Sequence, residues 1–158
     1  MMRVYCLIML CMTALGVGCS LAAAPPAVNC STVVPAEMRG PQPRWLGQCA
    51  DGKAVGVGVL RVGARAPFAF FFGRVVAGRP QTGLIMLSSG NMMEIRGVTA
   101  SGAVLPTDGE NIPEQDRAWA DAAAGARLVA RRFAAARNPG SSAYYARWAH
   151  KIETQRPE

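Results

Sequence analysis

Histidine is almost absent from this chain. It occurs once in 158 residues, as His150, which reads as a surface residue of a C-terminal helix. A lone histidine with no spare cysteines cannot complete a zinc set. Acidic residues are also few, with 10 Asp+Glu against 17 Lys+Arg and a formal net charge of +7. Nucleophile motifs are missing around Ser88-Ser89 and Ser141-Ser142. Gly56-Val57-Gly58 lacks the third glycine and the following helix that a nucleotide loop requires. Uninterrupted apolar runs stay shorter than the roughly 20 residues of a membrane span. These absences argue against an enzyme and against a resident cofactor or metal, and no small-molecule substrate is evident. Glu114, Asp116 and Asp121 leave envelope hydrolysis by paired carboxylates as a second alternative.

What is present begins with a leader. Met1-Met2-Arg3 is a short positive start, and Val4 to Val17 is apolar apart from Thr13 and Gly16. Small residues follow through Ala24. This is the order of a secretory signal, so residues 1–24 are expected to be removed and the product exported, periplasmic or secreted. Cutting after Ala22 or Ala23 suits a general signal peptidase. Gly16-Val17-Gly18-Cys19 also resembles the cysteine box of bacterial lipoproteins, which implies lipidation of Cys19 and a membrane anchor; Gly16 stands where that family usually has Leu.

Processing leaves Cys30 and Cys49 of the five cysteines. An even pair outside the cytosol is expected to be oxidised, and a bridge closing that loop contributes about 3 kcal/mol. The mature charge is about +6, since only Arg3 leaves with the leader. The excess is nearly all arginine, in keeping with a composition also rich in Ala and Gly.

Residues 25–44 read as a Pro-rich coil that a bridge would tether. Residues 45–105 are glycine-rich and β-like. Phe68, Phe70 and Phe72 alternate along one strand face. Residues 106–158 are helical. Asn111 caps a first helix carrying Trp119, Ala122, Ala126, Val129 and Phe133 on one stripe. Asn138-Pro139-Gly140 is expected to end it, with Ser141 or Ser142 capping a second helix through Tyr144, Trp148 and Ile152.

A repeat runs through the β region. Trp45-Leu46-Gly47 is followed by Gly52 and then by Gly56-Val57-Gly58. Phe71-Phe72-Gly73 is followed by Gly78, and Ile95-Arg96-Gly97 by Gly102. In each copy the second glycine stands five residues after the first. The pattern resembles the MORN repeat. The first copy carries all of that family's marks; the second has Thr82 and Leu84 in place of the final glycines, and the third has Ile95 for the aromatic. The resemblance implies a short stack of antiparallel β-hairpins over 45–105; with the C-terminal helical hairpin read from its caps and stripes as a cover for a face or an end, the chain is expected to be α+β. Gly52, Gly78 and Gly102 suit hairpin turns, and Asp51-Gly52 is itself a hairpin dipeptide.

MORN proteins are linked to protein assembly and to membrane association. A non-enzymatic binding or scaffold module of the cell envelope is therefore the expected function, with an envelope protein as partner. The exposed face of the hairpin sheet, with Arg74 and Arg79, is the first candidate surface. The alternative is a basic surface for anionic lipid or another polyanion, built on Arg127, Arg131 and Arg132; nucleic acid is not expected. Basic residues late in a helix also serve its dipole.

Overall fold

A computed structural model describes residues 30–157. The expected leader, with Cys19, lies outside the described residues. Seven strands form one sheet: β1 (Arg44–Trp45), β2 (Gln48–Ala50), β3 (Lys53–Val62), β4 (Ala69–Val76), β5 (Arg79–Met86), β6 (Met92–Val98) and β7 (Val104–Pro106). Two helices follow, α1 (Ile112–Ala135) and α2 (Pro139–Thr154). The fold is α+β, an antiparallel sheet followed by a helical hairpin.

The strands run in order β1-β3-β4-β5-β6-β7, with β2 also paired to β3 and every pairing antiparallel. Gly52, Gly78 and Gly102 lie in the turns between β2 and β3, β4 and β5, and β6 and β7. In the first two turns both central residues have positive φ: Asp51 and Gly52 at 49° and 71°, Ala77 and Gly78 at 48° and 80°. That is the twist-matched geometry of a two-residue hairpin. The third turn is longer, with Thr99 N–H donating to the Ala103 carbonyl at 2.9 Å.

Glycines of the first two copies are covered by rings. A side chain at Gly58 would strike the Trp45 ring at 2.7 Å, and one at Gly73 would strike the Phe71 ring at 2.6 Å. Trp45 also fills the space beside Gly47. Gly97 differs: its nearest neighbour is Leu105, at an ordinary 3.6 Å. Trp45, Phe71 and Ile95 are all buried in one apolar layer.

Both faces of the sheet are covered. Val59, Phe70, Phe72, Leu84 and Met86 pack against α1 and α2, joined by Phe68 at the margin. The opposite face holds Leu60, Phe71, Ile85 and Ile95 and is covered by the N-terminal coil through Val33, Val34 and Met38. Phe71 is fully buried, so the phenylalanine run feeds two layers rather than the one read from its alternation.

The coil is a strap across the turns. Ser31 N–H donates to the Gly52 carbonyl at 2.8 Å, Val33 N–H to Gly78 at 2.7 Å, and Ala36 N–H to Gly102 at 2.8 Å. One segment thus ties each hairpin end to the next. A disulfide between Cys30 and Cys49, with Cα atoms 5.7 Å apart, anchors the strap to β2.

The helices begin with asparagine caps. Asn111 Oδ1 accepts from Glu114 N–H at 3.3 Å, and Asn138 Oδ1 from Ser141 N–H at 3.0 Å. Asn138-Pro139-Gly140 therefore starts α2, where the sequence reading had it stop α1 and left the capping to Ser141 or Ser142. Proline suits a first helical position because its missing N–H would find no partner there.

Candidate functional site

The expected binding surface, an open sheet face, is not formed, because helices and strap cover both sides. Arg74 lies on the helix side, where Asp121 of α1 meets it. Arg74 Nη2 donates to Asp121 Oδ1 at 2.8 Å and Nε to Oδ2 at 3.1 Å, while Thr82 Oγ1 also donates to Oδ2. Asp121 is the one buried charged residue among those described. Its hydrogen bond, and then its charge, raise the Arg74 guanidinium above its ordinary value against a smaller effect of burial. A carboxylate held by three donors is poorly placed to act as a base, and it locks α1 onto β4 and β5.

A second polar knot secures the start of α1. Glu94 of β6 accepts from Trp119 Nε1 at 2.8 Å and from Thr107 Oγ1 at 3.3 Å. Near the other end, Arg132 donates to the carbonyls of Leu46 and Gly47. Arg127 is paired with Glu153, and Arg156 Nε bonds Asp116 Oδ1 at 3.1 Å, both linking α1 to the end of the chain. The arginine cluster read from sequence is thereby divided: Arg127 and Arg132 are engaged within the fold, and Arg131 is exposed with no ion pair among the described residues.

Arg79 remains at the surface. It begins β5 opposite Val76, flanking the Ala77-Gly78 turn. Val76 is 54% exposed, an apolar side chain open to water beside a cation. Lys53 is exposed too, and its Cβ is 3.8 Å from where a side chain at Gly78 would begin. The turn edge at Val76 and Arg79 is one exposed part of the hairpin stack. His150 is exposed on α2, and no group of three or more His, Cys, Asp or Glu suited to a metal occurs among the described residues. No described helix is long and apolar enough to cross a membrane.

Two residues escaped the sequence reading as site residues. In sequence Asp121 stands only among the carboxylates that leave hydrolysis open, and its structural role depends on the contact of α1 with β4 and β5. Arg61 had no signal at all: its strand position looks ordinary, yet its guanidinium carbon lies 4.6 Å from the centre of the Phe68 ring. No family model, curated protein or solved structure matches the chain, so the MORN resemblance rests on the residues alone.

Proposed function

We propose that this protein is an exported, non-enzymatic binding or scaffold module of the cell envelope, built on MORN-like hairpins. The carrying observation is the hairpin-turn edge, where Val76 stands exposed beside Arg79 and Lys53 while both sheet faces are closed by the chain itself. An exposed apolar side chain with Arg79 opposite it and Lys53 near the adjoining turn suits an envelope protein with an apolar, acidic contact. The interior polar groups support the same reading, since Asp121 and Glu94 are occupied in joining helix to sheet.

Export belongs to this proposal and rests on the leader and on the Cys30–Cys49 bridge, a bond that persists in oxidising compartments. N-terminal sequencing of the exported protein should find a start between Cys19 and Ala24; an intact Met1 would oppose it. Catalysis is tested on the mature protein with envelope polymers as substrates. No turnover is expected. Turnover that disappears in Asp121→Asn while circular dichroism stays unchanged would overturn the reading.

A further inference from the structure

On the helix side of the β1–β3 pairing, two arginines share one strand register without an acidic partner among the described residues. Arg44 of β1 is directly opposite Arg61 of β3. Cross-strand partners project from the same face, a few ångströms apart, and like charges there repel. That face is the helix side, because Arg61 lies over Phe68, which packs against the layer beneath α1 and α2. Neither arginine makes an ion pair among the described residues. Arg61 Nε is buried and has no hydrogen-bond partner. A buried donor without an acceptor is rare in a folded chain.

Five of the ten acidic residues are held elsewhere, and none of the described ones forms an ion pair with Arg44 or Arg61. Asp121, Glu153 and Asp116 are in ion pairs, Glu94 is bound by Trp119 and Thr107, and Asp51 sits in the β2–β3 turn. Aromatic side chains of α1 and α2 lie on the same side of the sheet. Phe133 and Tyr145 stack with ring centres 5.6 Å apart, and Tyr144 meets Tyr145 edge-on at 5.2 Å. Burial pushes the Tyr145 phenol up to about 12, although nearby Arg61 pulls it the other way. The phenol is therefore neutral at ordinary pH and adds no negative charge to offset the pair.

We propose that Arg44 and Arg61 form a binding site for a phosphate group. Two guanidinium forks side by side match the several oxygens of one phosphate. The Phe68 ring, 4.6 Å from the Arg61 guanidinium carbon, restrains that side chain, so less freedom is lost when the anion arrives. The phosphate group is carried by free phosphate or by an anionic lipid headgroup. The site is separate from the Val76–Arg79 edge, so either can fail without the other.

The test uses the mature, disulfide-bonded protein. Inorganic phosphate is titrated while the Arg61 Nε–H resonance is followed by NMR. In parallel, binding to phosphatidylglycerol vesicles is measured by sedimentation, with phosphatidylcholine vesicles for comparison. A saturable shift with inorganic phosphate supports the site and identifies a free phosphate as sufficient. Binding to phosphatidylglycerol alone, without a shift from inorganic phosphate, supports it with the lipid as source. In either case Arg44→Gln, an exposed position, should weaken binding about tenfold or more, and Arg131→Gln should leave it unchanged. Two results overturn the proposal: no saturable response to either probe, or a response that Arg44→Gln does not weaken.

Discussion

Asp121 illustrates how single residues set this structure. Its carboxylate is buried at the helix–sheet contact and accepts from Arg74 and Thr82. Asp121→Asn keeps the size and removes the charge, leaving charged donors poorly matched. Chemical denaturation should show a loss of about 2 kcal/mol, the scale of a hydrogen bond to a charged group. Tyr145 gives a second residue-level prediction. Its folded pKa is raised from 10.0 to about 12 by burial. The unfolded chain therefore releases this proton first as pH rises, and stability that is complete below the unfolded value is lost as pH climbs through the folded one. Unfolding free energy should fall by about 2 kcal/mol between neutral pH and about pH 11.5 on account of this phenol. Tyr145→Phe should remove that part of the decline in urea titrations at the two pH values; an identical decline would show that the phenol does not contribute.

At the scale of elements, the close approach of α1 to β3 and the strap across the turns matter most. Gly125 faces Gly58, and a side chain there would meet the Gly58 amide nitrogen at 3.0 Å and press on its carbonyl. Gly→Ala inside a helix ordinarily stabilises by up to about 1 kcal/mol. Here Gly125→Ala should instead destabilise by about 1–3 kcal/mol, the range for overpacking, as a lower thermal midpoint would show. The strap predicts a different signature. Cys30→Ser frees its anchored end and removes a loop constraint worth about 3 kcal/mol. Hydrogen exchange should then quicken at Val33 and Ala36, whose N–H groups bond the turn glycines, and much less at Val129 in α1. Equal protection of Val33 and Ala36 in both forms would show that the strap holds without its anchor. Much of this organisation was legible beforehand. The five-residue glycine spacing marked the turns, since such turns need residues that tolerate positive φ. The apolar stripe and the asparagine marked α1. The strap was not legible, because a Pro-rich coil has no periodicity and its bonds are made by backbone to turns far along the chain. Asn138-Pro139-Gly140 was misread because the same residues suit the end of one helix and the start of the next.

At the scale of the whole molecule, the chain closes its own hairpin sheet on both sides. The candidate site was less legible than the fold for that reason. Arg74, Arg127 and Arg132 are indistinguishable in sequence from Arg79 and Arg131, yet contacts across the fold engage the first three, while the other two make no ion pair among the described residues. The proposed binding is therefore assigned to the turn edge around Val76 and Arg79. The most direct measurement is quantitative capture from the protein's own envelope fraction on immobilised mature domain, comparing the unaltered chain with Arg79→Glu and Arg131→Gln. The unaltered chain and Arg131→Gln should retain the same discrete protein, and Arg79→Glu should reduce its retention about tenfold, as expected for a residue central to a contact. Equal retention by all three, or no discrete protein retained by any, would contradict binding through the hairpin edge.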